Sequence, residues 1–287
     1  MSSAQTDGSG GRPILALTQG DPAGVGPEVV LKAVAERQPP HDWIPLLVAE
    51  RAALEPLRAS LDLRSDEILY LEEPPTREAL TDLHGRVPVF DPLGEERTVE
   101  PGRPGASDAL GALAALDVAL DLARAGVVDA MVTAPVSKAA IAEHCLASFR
   151  GHTDYLARHC GLEAYGRDYL MAFLLPRLQV ALLNVHLPLT EAIAGVTERA
   201  LVEALECLHR YAGGKIAVAG LNPHAGEGGL LGEEDERIVR PAVERARAAG
   251  IDVHGPESAD SLFSRAMRDE FDWVLALYHD QGLVAVK

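Results

Sequence analysis

Six apolar, β-prone runs punctuate this chain, separated by stretches of helical period. The runs are PILALT (13–18), WIPLLVA (43–49), VVDAMVTA (127–134), LQVALLNV (178–185), KIAVAGL (215–221) and DWVLALY (272–278). Helical segments are expected over 27–37, over 108–125 with Ser107 as its cap, over 190–212 and over 233–250. Strands that are apolar throughout, rather than alternating, are buried on both faces, and intervening helices supply the covers. The expected architecture is therefore α/β, with a largely parallel sheet sandwiched between helices. EEPPTREAL (72–80) and DPLGEERTVEPGRPGAS (91–107) read as loops, and no repeat of fixed period is visible.

The residues just beyond each strand narrow the chemistry. In open α/β sheets, ligands gather at the carboxyl edge of the strands. QGDPAGVGPE comes after the first run, PVSK after the third, His186 after the fourth, NPHAGEGG after the fifth and HDQG after the sixth. Three of the ten histidines, His186, His224 and His279, thus occupy equivalent strand ends. Any one of them alone reads as a strand cap. Together, with Asp260 and Asp280 near the same edge, they read as ligands of a divalent metal such as Zn²⁺.

Three further segments are candidates for binding. LNPHAGEGGLLGEED (221–235) imitates a dinucleotide fingerprint, but its third glycine comes one place late and no strand-end acid occurs about 20 residues on. Gly226, Glu227 and Gly228 are the candidate cofactor contacts there, the other reading being a flexible loop. FRGHTDYLARHC (149–160) sets His152 and Thr153 at a helix start, where free N–H groups suit an anion, or where Thr153 merely caps. TAPVSKAAIAEH (133–144) places Ser137 and Lys138 at a second such corner, or at an ordinary cap with a solvated lysine. His41, His84, His144, His159, His209 and His254 read as structural or surface residues, and Cys145, Cys160 and Cys207 as core fillers.

Net charge is −17 over 287 residues, which argues against a general nucleic-acid or anionic-membrane surface. No CxxC pair or secretory h-region is present, and residues 1–12 read as a disordered leader. The most apolar helix, LGALAALDVALDLARAG, is broken by Asp117 and Asp121 and is too short to span a bilayer. A cytoplasmic location is expected.

LTQGDPAGVGPEVVLKA, TAPVSKAAI, FRGHTDYLA, LNPHAGEGG, GPESADSLF and YHDQGLVAVK together resemble the 4-hydroxythreonine-4-phosphate dehydrogenase family of pyridoxal phosphate biosynthesis. The resemblance implies a two-domain α/β/α sandwich akin to the isocitrate and isopropylmalate dehydrogenases, with the active site in the interdomain cleft. The expected division is 13–135 plus about 255–287 for the first domain and 136–254 for the second. It implies a homodimer with metal sites shared across the interface, NAD or NADP as cofactor, and Zn, Mg or Co as the metal. Motif by motif, His186, His224 and His279 fall on metal ligands. His152, Thr153 and Lys287 fall on substrate-binding positions, and Asp260 and Lys287 on catalytic ones.

The implied reaction oxidises 4-phosphooxy-L-threonine to a 2-amino-3-oxo acid that decarboxylates to 3-amino-2-oxopropyl phosphate. Related dehydrogenases act on other phosphorylated hydroxy acids, of the 4-phosphothreonate or erythronate type, or on unphosphorylated diols. A non-catalytic metal-binding dimer and an acyl- or phosphotransferase are readings from other classes. The family continues beyond YHDQGLVAVK with further substrate- and cofactor-binding residues, so a C-terminal segment is expected to be missing from the sequence.

Overall fold

The computed structural model describes residues 11–36, 42–58, 61, 67–83 and 85–287. His41, His84 and most of the expected leader lie outside them. The chain divides into two compact units, Met1–Leu156 and Ala157–Lys287.

The first unit runs β1 (Ile14–Thr18), α1 (Gly26–Ala35), β2 (Ile44–Val48), α2 (Arg51–Arg58), β3 (Ile68–Leu71), α3 (Arg77–Thr81), β4 (Val87–Phe90), α4 (Ala106–Arg124), β5 (Ala130–Thr133), α5 (Lys138–His144) and into α6 (His152–His159). Its strands are ordered β3-β4-β2-β1-β5, and every pairing is parallel. Successive side chains of a strand face opposite ways. Leu17, Leu47 and Val89 accordingly pack with Val30, Leu31 and Val34 of α1. Ile14, Ala16, Leu46 and Val48 pack with Ala115, Ala119 and Leu122 of α4. Both faces are covered, as continuous apolar strands require.

The second unit runs β6 (Met171–Leu175), β7 (Leu178–Leu182), α7 (Leu189–Ala194), α8 (Glu198–Tyr211), β8 (Ile216–Ala219), α9 (Arg240–Ala248), β9 (Val253–Glu257), α10 (Ala259–Ala266), β10 (Trp273–Ala276) and α11 (His279–Val286). The order is β6-β7-β10-β8-β9, parallel except for the β6–β7 hairpin. Ala181, Val218 and Leu275 face α8 and α9, while Val180, Ala217 and Val274 face Leu262 of α10 and Leu283 of α11.

Several expectations are corrected. Residues 255–287 belong to the second unit, because β10 lies between β7 and β8 and cannot leave that sheet. Residues 136–156 belong to the first, where Ile141, Phe149 and Tyr155 pack on Leu113 and Leu116. The closing LVAV lies within α11, with Lys287 as its C-cap. The 190–212 helix breaks after Gly195, and Thr197 caps the second half by accepting from the Ala200 N–H at 3.1 Å. The loop reading of 72–80 contains α3. Cys207 is buried as expected, but Cys145 and Cys160 are exposed.

Ser107 does not cap α4. Asp108 does, accepting from the Gly105 N–H at 2.8 Å, and its other oxygen takes Arg97 Nη1 at 2.9 Å. Arg97 also donates Nε and Nη2 to Glu50 at 2.6 and 3.0 Å, and Gln19 Nε2 donates to Glu50 at 2.9 Å. Gln19 Oε1 in turn accepts from the Glu50 N–H at 2.8 Å. Glu50 is 1% exposed, so its charge depends on these donors. Gly111 on α4 leaves the room they need, since a Cβ there would collide with the Glu50 carboxylate. The network ties the ends of β1 and β2 to α4 and to the 91–105 loop. Arg97→Ala strands two buried carboxylates and is expected to destabilise the fold by about 3 kcal/mol. Chemical denaturation checks this, and an unchanged midpoint would contradict it.

Candidate active site

β7, β10 and β8 are neighbours and parallel, so the segments after them leave on one edge. His186 comes after β7, His279 opens α11 directly after β10, and His224 comes after β8. Two amides stitch these exits together. Asn184 Nδ2 donates to the carbonyls of Leu277 and Ala192, both at 3.1 Å. Gln281 Nε2 donates to the Gly220 carbonyl at 2.7 Å, and its Oε1 accepts from the Leu277 N–H at 2.7 Å. Neither amide stood out in the sequence, because nothing local distinguishes a bracing amide from a surface one.

The His186 and His279 rings lie 5.4 Å apart between centroids and line a cavity of about 310 Å³ with Asp280 and Tyr278. Two imidazoles sharing one tetrahedral ion, each about 2.1 Å from it, have centroids about 5 Å apart. The pair therefore fits two of a metal's ligands. Asp280 Oδ1 lies 2.7 Å from His279 Nδ1. A carboxylate in that position favours the tautomer in which Nδ1 donates to it and Nε2 faces a ligand.

His224 stands apart from this pair. It pairs with Asp260 at 3.7 Å, and Asp260 is held below the usual carboxylate range, first by the Ser258 hydroxyl and then by His224. Among the described residues no three His, Cys, Asp or Glu side chains gather closely enough to hold a metal. The three-histidine set is thus not assembled within one chain. Lys287 closes α11 eight residues after His279, about 12 Å along the helix axis, so it does not join the imidazoles.

The glycine-rich segment is neither a Rossmann turn nor a floppy loop. His224, Ala225, Gly226, Glu227 and Gly228 all have positive φ (53°, 51°, 77°, 45° and 68°), which makes a short left-handed turn. Buried Asp235 clamps its base, accepting from the N–H groups of Leu221 and Asn222 at 2.7 and 2.9 Å. Gly226 is buried against the Gly232 carbonyl, whereas Gly228 has open space where a Cβ would be. Glu227 is exposed.

The 151–153 corner lies in the first unit. Thr153 is the second residue inside α6 rather than its cap, whereas Ser137 does cap α5, accepting from the Ala140 N–H at 3.2 Å. His152 is half-buried, and its buried Nε2 has no hydrogen-bond partner. Burial, and next the Lys138 ammonium, push its pKa below the ordinary 6.5, while the Ala134 carbonyl works the other way.

Known proteins resemble this chain over nearly its whole length. Residues 43–287 match the family described as pyridoxal phosphate biosynthetic protein PdxA. The chain belongs to the PdxA family. A 4-hydroxythreonine-4-phosphate dehydrogenase of Acidithiobacillus ferrooxidans is 38% identical over 285 residues, 96% of this chain and 81% of the relative. One from Chromobacterium violaceum is 39% identical over 284 residues, covering 96% and 82%. The crystal structure of the Klebsiella pneumoniae 4-hydroxythreonine-4-phosphate dehydrogenase superposes with a TM-score of 0.83 at 32% identity, over 95% of this chain and 82% of that one. A terephthalate 1,2-cis-dihydrodiol dehydrogenase from Burkholderia xenovorans superposes at 0.61 with 29% identity, over 96% and 82%. PdxA membership assigns the chain to pyridoxal phosphate biosynthesis, and its relatives carry the names of oxidoreductases.

In this PdxA chain the depressed His152 has a stability consequence. Below pH 6.5 the unfolded chain binds a proton that folded His152 resists, so stability falls as pH drops from 6.5 through the folded pKa. Denaturation midpoints are expected to fall less over that window in His152→Asn than in the wild type. Equal acid sensitivity would refute the assignment.

Proposed function

We propose that this chain oxidises the secondary alcohol of 4-phosphooxy-L-threonine with NAD or NADP, giving a 2-amino-3-oxo acid that loses CO₂ to 3-amino-2-oxopropyl phosphate. The observation that carries this reading is the His186–His279 pair, at ligand spacing on the carboxyl edge of β7 and β10. A divalent ion held there would supply Lewis acidity towards the substrate's alcohol oxygen. His186 and His279 would hold the ion, and Asp280 would orient the His279 ring. His224, which is not gathered with them, is assigned to completing the coordination between two copies of the chain, with Asp260 orienting it.

His152 and Thr153, at the start of α6, take the phosphate end of the substrate. Gly226, Glu227 and Gly228 are assigned to the nicotinamide nucleotide, with Gly228 offering backbone that a ligand can approach closely. Lys287 is assigned to a substrate anion away from the imidazoles. The likeness to the terephthalate dihydrodiol dehydrogenase favours a second reading, oxidation of an unphosphorylated diol.

NADH absorbance with 4-phosphooxy-L-threonine, with and without a chelator, separates these readings. Turnover that the chelator abolishes is expected. No signal with this substrate, alongside turnover of an unphosphorylated diol, would favour the second reading. His186→Ala is expected to lose bound metal, measured by elemental analysis, and turnover together, with an unchanged circular dichroism spectrum. Full turnover without metal would sink the metal assignment.

A further inference from the structure

We propose that Lys138 is a phosphate-binding residue of the α6 corner, supplying the positive charge that His152 and Thr153 lack. The inference rests on the reading of that corner as the phosphate site. Lys138 is the first residue of α5, and its side chain crosses to the start of α6. A Cβ built at Gly151 would stand 3.3 Å from Lys138 Cε and 3.4 Å from Nζ. Gly151 has φ +149°, so a side chain there meets both backbone strain and the lysine. Glycine at 151 therefore keeps open the space that the ammonium occupies.

No carboxylate pairs with Lys138 among the described residues. Beside it, the Nε2 of His152 is buried without a partner, an arrangement that costs free energy. A phosphate monoester carries a charge of about −1.5 to −2 near neutral pH. Burial and the neighbouring ammonium keep His152 neutral, so it contributes a hydrogen bond rather than a charge. Thr153 likewise offers a hydroxyl and its backbone N–H. Lys138 is a cation in contact with this corner, and charge-assisted hydrogen bonds to phosphate are the strong ones.

Calorimetric titration of the full chain with inorganic phosphate tests the proposal. Lys138→Gln is expected to weaken binding about tenfold, the size of one charge-assisted hydrogen bond, and Lys138→Arg to retain most of it. In turnover, Lys138→Gln should raise KM for 4-phosphooxy-L-threonine far more than it lowers kcat, and leave KM for 4-hydroxy-L-threonine unchanged. A thermal melt matching the wild type shows that the loss is not one of folding. Phosphate affinity within about twofold of wild type in Lys138→Gln overturns the proposal. If His152→Ala and Thr153→Ala do weaken phosphate binding in that case, Lys138 alone is excluded. If they too bind normally, or if the wild type does not bind phosphate, the reading of the corner falls with it.

Discussion

Parallel hydrogen bonding between β7, β10 and β8 decides where chemistry can gather in the second unit. Neighbouring strands of a sheet lie about 4.8 Å apart, and parallel neighbours must all exit on the same side. Three strand exits are thereby confined to one narrow row, whatever residues they carry. Placing imidazoles at two adjacent exits is enough to bring His186 and His279 within 5.4 Å. The braces from Asn184 and Gln281 keep that row in register by pinning the exits to one another's carbonyls. The first unit meets the same demand with charge. There the exits of β1 and β2 are held by Gln19, Glu50 and Arg97.

All six apolar runs read from the sequence contain strands. Five are buried on both faces, as short runs of Val, Leu, Ile and Ala favour, while the edge strand β5 leaves Val132 exposed. β3, β4, β6 and β9 escaped notice for different physical reasons. β4 (VPVF) carries Pro88, which strand propensity disfavours, and β3 (ILYL) is an edge strand that pairs only with β4. β6 is an edge strand with Leu174 largely exposed, and β9 contains Gly255 and Pro256. α11 is not legible in the sequence because its apolar LVAV covers the sheet as one face of a helix, a pattern too short for its period to show.

At the candidate site, the strand-end histidines were legible because a parallel sheet converts sequence position into spatial position. His152 with Thr153 was legible because a polar helix start has a recognisable composition. Arg97 was not. Its partners lie 47 and 11 residues away, and within a Glu- and Pro-rich loop it looks like any solvated arginine. Asp235 was equally hidden: it reads as one acid among several, yet it is fully buried and carries the turn that presents His224. Such residues are defined by distant backbone atoms, which a one-dimensional pattern does not contain.

The turn from His224 to Gly228 winds with the opposite hand to every helix around it. For His224, Ala225 and Glu227 that hand costs roughly 1–2 kcal/mol per residue, because an L-configured Cβ crowds the next carbonyl. Mirror-image chemistry reverses the sign. A D-alanine at position 225 would adopt the same backbone without that strain, so at each of these three positions the chirality of the α-carbon, rather than the identity of the side chain, sets the cost.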